Sequence, residues 1–336
     1  MSKVAVIGAG SWGTALAIVA GRGGQHQVRL WARENEVCAS IQESRVNALF
    51  LPDCRVPESV TVTNDLQHAL SGAEIVVSVM PSHHCRRVFE HMAQWLLPQM
   101  LFVSATKGVE NDTLLRMSQV IDEIVKRFAG FTPRITALSG PTFALEVAHG
   151  NPTALTAASS HLSLAATVQK ELSDPNFRIY MNDDMVGVEL GGSLKNVIAI
   201  AAGICDGLGL GHNSVAALIT RGLAEITRLA VACGAKPQTM AGLAGMGDLV
   251  LTCTGGLSRN RNVGSELGHG RRLQEIIAGM HGMVAEGVLT TNAALGLAKK
   301  YDVEMPITQQ MYAILNDGRS PRDAIRELMS RPGKAE

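Results

Sequence analysis

A glycine-rich stretch at the start of the sequence, VAVIGAGSWGTALA, limits the folds open to this chain. Gly8, Gly10 and Gly13 form the pattern G-x-G-x-x-G directly after an apolar run at 4–7 and before a helical pattern. In that context the first glycine permits a tight turn, the second lets the backbone approach a pyrophosphate, and the third allows close helix packing. The stretch therefore predicts a dinucleotide site in which the amides of Ser11 and Trp12 face the anion.

The first half of the chain alternates apolar runs with helical patterns. Further buried strands are predicted at 28–31, 75–79, 101–105 and 135–139, with helices between most of them. This alternation is typical of an α/β fold with a Rossmann-type, doubly wound parallel sheet. The loops at 79–82, 105–108 and 139–142 are predicted to lie along one edge of that sheet, where ligands bind.

The second half of the chain has a different pattern. After a last strand at 177–182, long segments rich in Ala, Gly and Leu predict helices at about 184–203, 214–233, 284–299 and 322–330. A length of 336 residues favours two domains. We place the boundary after Asn182, which gives a Rossmann domain over 1–182 and an all-α domain over 183–336.

Composition argues against several classes of function. Acidic and basic residues balance at 30 each, so no overall field attracts nucleic acid or an anionic membrane. No apolar run approaches the ~20 residues of a membrane span, and no secretory signal is recognisable. The six cysteines are scattered and no Cys or His spacing fits zinc, which suits reduced thiols. We therefore expect a cytoplasmic protein without a metal, nucleic acid or membrane span.

Arg33 bears on the choice of cofactor. It follows the second predicted strand, near the position where NAD-selective sites carry Asp or Glu. A guanidinium can pair with a 2′-phosphate in a bidentate way, so we expect NADPH to be accepted as well as NADH. Glu34 and Glu36 leave the discrimination open, and the alternative for Arg33 is an exposed charge at the start of a helix.

Lys195 is the main candidate for chemistry in the second half. It interrupts an otherwise apolar helix in LGGSLKNVIAIAAG, and burying a lysine is costly unless something uses it. Near a carbonyl, its ammonium can give a proton to the oxygen while a hydride reaches the carbon. The alternative is a lysine that reaches solvent or forms a salt bridge.

A second candidate segment is AGMGDLVLTCTGGLSRNR. Asp248 is predicted in a glycine-flanked turn, and two glycines precede Ser258, Arg259 and Asn260. A hydroxyl at a helix N-cap, free helix-start amides and a guanidinium together can bind a phosphate. The alternative is an ordinary capped helix with a solvated arginine.

With these residues identified, the chain resembles the bacterial NAD(P)-dependent glycerol-3-phosphate dehydrogenases over nearly its whole length. The resemblance rests on segments that include GAGSWGTALA, NALFLPD, SGPTFALEVA, LGGSLKNVIAIAAG, AGMGDLVLTCT and SRNRNVG. It implies reversible reduction of dihydroxyacetone phosphate to sn-glycerol 3-phosphate for phospholipid synthesis. The apolar helices of the second half are also compatible with a homodimer.

The resemblance implies roles for single residues. Lys195 takes the position of the proton acceptor. The implied cofactor contacts beyond the three glycines are Ser11, Trp12, Arg33, Phe50, Lys107, Ala144, Arg259, Val284 and Glu286. The implied substrate contacts are Lys107, Gly140, Thr142, Lys195, Asp248, Ser258, Arg259 and Asn260.

Two other functions explain parts of the sequence. A reductase of the same architecture that acts on a 3-hydroxy acid or sugar acid would also combine a Rossmann domain with a helical lysine. It leaves the cluster at 258–260 unexplained. A non-catalytic NADPH sensor would explain the first half but has no use for Lys195 and Asp248. Turnover of dihydroxyacetone phosphate would favour the dehydrogenase over both alternatives.

Overall fold

The computed structural model describes residues 2–280 and 285–333. The chain divides into two compact units. The first consists of Met1–Lys107 and Leu115–Glu189, and the second of Gly108–Leu114 and Leu190–Glu336. The main division therefore falls within a helix, after Glu189, and the predicted boundary after Asn182 stays a prediction.

The first unit is built mainly from alternating strands and helices. Its elements are β1 (Ser2–Ile7), α1 (Ser11–Arg22), β2 (His26–Trp31), α2 (Asn35–Ser44), β3 (Val46–Asn47), β4 (Leu51–Arg55), β5 (Val60–Thr63), α3 (Leu66–Leu70), β6 (Ile75–Ser78), α4 (Cys85–Met92), β7 (Leu101–Ser104), α5 (Met117–Ile124), β8 (Arg134–Ser139), α6 (Ala144–His149), β9 (Thr153–Ala158), α7 (Leu162–Leu172) and β10 (Phe177–Asn182).

An eight-stranded sheet forms the centre of this unit in the described part of the chain. Its strands lie in the order β10, β9, β8, β7, β6, β1, β2, β5, and β9 runs antiparallel to β8 while the other neighbours are parallel. The predicted Rossmann-type fold is confirmed. Strands β5 and β9 are absent from our sequence prediction; β9 is TALTAA, whose alanines carry little strand preference.

Helices cover both faces of the sheet. Along β1, Val4 and Val6 join a buried cluster that includes side chains of α1 and α7. The alternate residues, Ala5 and Ile7, join a second cluster with α3, α4 and α5. A strand buried on both faces reads as a continuous apolar run, which is why the parallel strands could be located from sequence. Since β1, β6, β7 and β8 run parallel, the loops that follow them lie at one sheet edge, as predicted.

The second unit is helical. One helix, α8 (Met185–Gly207), crosses the division between the units, and the others are α9 (Gly211–Ala232), α10 (Pro237–Met240), α11 (Asp248–Thr254), α12 (Arg259–Gly268), α13 (Leu273–Ala278), α14 (Glu286–Tyr301), α15 (Pro306–Asn316) and α16 (Pro321–Met329). The all-α second half is therefore confirmed. Asp248, expected in a turn, is instead the first residue of α11, after a π-helical turn at Leu243–Gly247.

Helix α8 is buried along most of its length. By length and apolar composition it would pass as a membrane span, as would the bent pair Pro237–Thr254 and Arg259–Gly268. The apolar window of α8 lies wholly inside the protein, however, as expected for the core helix of a globular unit.

Glu225 links α9 to the start of α15. Its carboxylate accepts hydrogen bonds from the Ile307 and Thr308 amides at 2.8 Å each and from the Thr308 hydroxyl at 2.7 Å. Burial raises the pKa of Glu225, and these three hydrogen bonds lower it. Because the first amides of a helix lack intrahelical partners, this buried acid acts as a cap supplied by another helix.

We expect Glu225→Gln to lower the free energy of unfolding by about 1–3 kcal/mol. The glutamine NH2 group would face a backbone N–H at the start of α15, and two donors cannot form a hydrogen bond. The measurement is the urea unfolding midpoint. Glu304→Gln is the control, since that carboxylate is 70% exposed in its ion pair with Arg331, and it should change stability by less than about 0.5 kcal/mol. Equal effects of the two substitutions would contradict the capping role.

Candidate active site

The glycine loop joins β1 to α1. Gly8 has a φ of 120°, and a Cβ there would lie 2.0 Å from the Val79 carbonyl oxygen. A Cβ at Gly13 would lie 1.8 Å from the Gly8 carbonyl oxygen, whereas nothing lies within 4 Å of the Cβ position of Gly10. The first and third glycines thus have the turn and the close contact expected of the motif, and the second faces open space.

The start of α1 has the properties of an anion site. No described side chain caps this helix, and its first turn carries no acidic residue. The N–H groups of Ser11 and Trp12 can therefore donate to an anion. The Trp12 Nε1 atom is buried and has no hydrogen-bond partner among the described residues. A buried donor of this kind needs an acceptor, and a bound dinucleotide can supply one.

Asn47 shapes the glycine loop, and our sequence analysis did not identify it. Its Nδ2 donates to the Ala9 carbonyl and to Thr14 Oγ1, both at 2.8 Å, and its Oδ1 accepts from the Phe50 amide at 3.1 Å. The residue is fully buried. The only signal in the sequence was that Asn47 belongs to the segment NALFLPD. Its contacts with Ala9 and Thr14 join positions far apart in the chain, so local patterns do not reveal them.

Three predicted cofactor contacts lie beside the same core. Trp12, Phe50 and Ala144 are partly buried and pack against the cluster shared by β1 and α1. They come from α1, from the turn before β4, and from the start of α6. The fold thus brings residues from three distant segments to one cluster.

Arg33 lies just beyond the end of β2, as predicted. Its guanidinium pairs with Glu34 Oε1 at 2.7 Å and remains 59% exposed. The pair is a weak surface contact, so a stronger anionic partner can replace Glu34. The position of Arg33 agrees with both predicted alternatives, a contact to a 2′-phosphate and an exposed charge at the start of a helix.

The loops after β7 and β8 lie next to each other. Lys107 Nζ donates to the Gly140 carbonyl at 2.9 Å and to Thr142 Oγ1 at 3.4 Å. Thr142 Oγ1 also donates to the Gly140 carbonyl at 3.1 Å. The three residues predicted on these loops are therefore brought together as a polar cluster in the first unit.

In the second unit, Lys195 on α8 is buried and held by two groups of α11. Its Nζ lies 2.5 Å from Asp248 Oδ1 and 2.6 Å from Thr252 Oγ1. The Thr252 hydroxyl lies 2.6 Å from the Asp248 carbonyl oxygen, to which it donates. Asp248 and Thr252 are one helical turn apart, which is why both reach the same ammonium. Thr252 is a further residue absent from our sequence prediction.

Cys253 lies beside this cluster but is chemically inert. Burial raises the pKa of its thiol to about 12, although the Lys195 charge acts to lower it. The thiol therefore stays protonated, and only the thiolate is a good nucleophile. Its role is that of a small buried apolar residue.

Helix α12 begins at the predicted phosphate cluster. Ser258 is its N-cap, and the Ser258 hydroxyl accepts from the Arg261 amide at 3.2 Å. Arg259 is exposed to solvent; desolvation by neighbouring atoms still lowers the pKa of its guanidinium, and Glu286 raises it. Asn260 is buried and bonded to Asn196. Val284 lies outside the described residues.

Within 2–280 and 285–333, no group of three or more His, Cys, Asp or Glu side chains could hold a metal ion. The chemistry of the described clusters instead uses an ammonium, a carboxylate, hydroxyls and helix-start amides. Together they fit a dinucleotide in the first unit and a small anionic carbonyl compound in the second.

Known proteins resemble the chain at both the sequence and the structural level. Residues 3–165 match the family described as NAD-dependent glycerol-3-phosphate dehydrogenase N-terminus, and residues 184–326 match the corresponding C-terminus. A glycerol-3-phosphate dehydrogenase, NAD(P)+, from Koribacter versatilis is 71% identical over 336 residues, which cover 100% of this chain and 99% of that protein.

Solved structures give the same result for the fold. The crystal structure of glycerol-3-phosphate dehydrogenase from Coxiella burnetii superimposes with a TM-score of 0.92 at 41% identity, covering 98% of this chain and 99% of that one. A ketopantoate reductase from Ralstonia eutropha shares the fold at 17% identity and a TM-score of 0.61, with 96% and 99% covered. Because the architecture also occurs in that reductase, the substrate must be argued from the site.

Proposed function

The chain belongs to the NAD-dependent glycerol-3-phosphate dehydrogenase family, and we propose that it reduces dihydroxyacetone phosphate reversibly to sn-glycerol 3-phosphate with NADPH or NADH. The observation that carries the proposal is the pairing of buried Lys195 with Asp248 and Thr252 in the unit that also contains the capped start of α12. A phosphorylated ketone requires a proton at one end and an anion site at the other, and this unit offers both.

The first unit supplies the cofactor site of this proposal. The open backbone at Gly10, the uncapped start of α1 and the buried Trp12 indole N–H support binding of a pyrophosphate and ribose there. When bound, the reduced nicotinamide supplies the hydride that is added to the ketone carbon. The cofactor and substrate contacts predicted for Phe50, Lys107, Gly140, Thr142, Ala144, Val284 and Glu286 stay predictions.

Lys195 is the proposed acid and base. Its ammonium gives a proton to the ketone oxygen as negative charge develops, and its amine takes that proton back in the reverse direction. Asp248 and Thr252 accept hydrogen bonds from Nζ, so they hold the donor atom in place. An ammonium held in this way stabilises the developing negative charge without having to reorganise during the reaction.

The start of α12 is the proposed phosphate site. Ser258, the backbone amides of Arg259 and Asn260 and the Arg259 guanidinium all favour a dianion. Binding energy from the phosphate, which takes no part in the reaction, can be used to position the ketone. Arg259 is exposed enough to contact a ligand from solvent.

The phosphate cluster also separates this proposal from the alternative reductase. We expect oxidation of NADPH, followed by nicotinamide absorbance, to be much faster with dihydroxyacetone phosphate than with ketopantoate or a sugar acid. Faster reduction of either acid would favour the alternative. Binding of NADPH without turnover of any ketone would favour the sensor.

We also propose a cytoplasmic enzyme that supplies the glycerol phosphate backbone of phospholipids. The six cysteines are unoxidised thiols, five of them buried, and this supports a reducing compartment. A homodimer stays a prediction.

For Arg33, we expect Arg33→Asp to weaken NADPH binding by about 1–3 kcal/mol and NADH binding much less, because a charged hydrogen-bonded contact to the 2′-phosphate is lost. The measurement is the Kd of each cofactor by fluorescence titration. Arg55→Asp is a matched control, since Arg55 is an exposed arginine of the same unit paired with Glu58. Equal losses for NADPH and NADH would exclude the 2′-phosphate role.

A further inference from the structure

The side chain of Asn260 connects three helices. Its Oδ1 accepts from the Gly287 amide of α14 at 2.9 Å, and its Nδ2 donates to Asn196 Oδ1 of α8 at 3.0 Å. A backbone N–H can only donate, so the Asn260 atom that faces Gly287 must be the oxygen. This requirement fixes the amide orientation at Asn260 and, in turn, at Asn196. We call the set of Asn196, Asn260 and Gly287 the asparagine junction.

The junction lies between the two reactive parts of the second unit. Asn196 follows Lys195 directly on α8, and Asn260 belongs to the first turn of α12, next to Ser258 and Arg259. Both asparagines are buried. A Cβ at Gly287 would lie 2.6 Å from the Asn196 carbonyl oxygen. The backbones of α14 and α8 are therefore so close at this point that only a glycine fits.

Further along the two helices, α8 and α12 touch through their backbones. A Cβ at Gly203 would lie 1.9 Å from the Arg261 carbonyl oxygen, and a Cβ at Gly264 would lie 1.9 Å from the Ile200 carbonyl oxygen. This contact sets how close the helices come, and the asparagine junction sets their alignment at the end that carries Lys195 and Ser258.

From this arrangement, which rests on the proposed function, we infer that Asn196 and Asn260 are positioning residues that set the separation between the Lys195 ammonium and the phosphate-binding turn of α12. The Asn260 side chain then serves alignment, and its contribution to phosphate binding comes from its backbone N–H. The junction selects substrates whose ketone and phosphate are spaced as in dihydroxyacetone phosphate, because a fixed spacing fits one chain length.

The inference is tested with Asn196→Ala, Asn260→Ala and the double variant, each measured on dihydroxyacetone phosphate and on unphosphorylated dihydroxyacetone. The ratio of the two kcat/KM values is the phosphate advantage. A misplacement of about 1 Å can cost about 10²-fold, so we expect each single variant to lower this ratio by about 10- to 100-fold. We expect the double variant to match Asn260→Ala within about two-fold, since Asn260→Ala already removes the contact with Asn196.

Controls separate alignment from stability. Asn292 and Asn316 form another asparagine pair in the same unit, with Asn316 Nδ2 3.4 Å from Asn292 Oδ1, and Asn316→Ala should leave the phosphate advantage unchanged. Asn260→Gln keeps an amide that can accept from Gly287 and donate to Asn196, adds no charge beside the phosphate site, and should retain part of the advantage. It also serves as the measured variant if Asn260→Ala does not fold.

Three results would overturn the inference. Independent, multiplying effects of the two substitutions, or a loss confined to Asn260→Ala, would mean that the Asn260 side chain binds phosphate itself. Equal losses on both ketones would mean a purely structural role. If the unmodified enzyme did not reduce dihydroxyacetone phosphate, the proposed function would fail first, and this inference with it.

Discussion

Lys195→Met should give a folded protein that binds NADPH and reduces dihydroxyacetone phosphate about 10²–10⁴-fold more slowly in kcat. Methionine keeps most of the volume and the apolar stem of lysine but lacks the ammonium. The proton donor is therefore removed while the packing around α8 is largely retained. Steady-state kinetics with saturating cofactor measure the loss.

The same substitution leaves Asp248 as a buried carboxylate without its ammonium partner. Breaking such a pair costs about 3–5 kcal/mol, so thermal unfolding of the variant must be measured beside its activity. Lys195→Met combined with Asp248→Asn removes the uncompensated charge and should regain stability but not turnover. Lys299→Met, at an exposed position in the last turn of α14, is the control for replacing a lysine. Near-normal kcat in Lys195→Met would transfer the catalytic assignment to Lys107.

Arg259→Ala should raise the KM for dihydroxyacetone phosphate by about 10- to 100-fold, because a charge-assisted contact to the phosphate is worth about 1.5–3 kcal/mol. Reduction of unphosphorylated dihydroxyacetone, which has no phosphate to bind, should change far less. The Kd of NADPH should also change less than the KM of the ketone. The comparison of the two ketones is therefore the measurement that identifies the role.

Arg261→Ala is a matched control for that experiment. Arg261 lies on the same helix and pairs with Asp206 at 3.0 Å, so its loss removes an arginine without removing the proposed phosphate contact. If Arg259→Ala reduced activity on both ketones equally, Arg259 would have a structural or cofactor-binding role instead.

The features of the fold and site that could be predicted from sequence are those with a local physical cause. The strand, turn and helix around Gly8 follow from contiguous residues, and so does the N-cap at Ser258. The apolar runs of the parallel strands identify the sheet because strands covered on both faces have no polar alternation. Lys195 was noticeable because a charge inside an apolar helix is costly.

The parts that could not be predicted depend on contacts between distant segments. Asn47 acts on a loop nearly forty residues earlier in the chain, at Ala9, and Thr252 reaches an ammonium on another helix. In the sequence, Glu225 cannot be distinguished from an ordinary exposed glutamate of a helix. Its capping role depends on the packing of α15 beside α9. The pairing of β9 beside β8 likewise depends on the sheet and not on the weak strand preference of TALTAA.

The central claim is most directly tested by mixing the purified protein with NADPH and dihydroxyacetone phosphate, following nicotinamide absorbance and identifying the product. We predict oxidation of NADPH in step with formation of sn-glycerol 3-phosphate, and the reverse reaction when glycerol phosphate and NADP are supplied. A folded protein that binds NADPH but leaves dihydroxyacetone phosphate unreduced would contradict the claim.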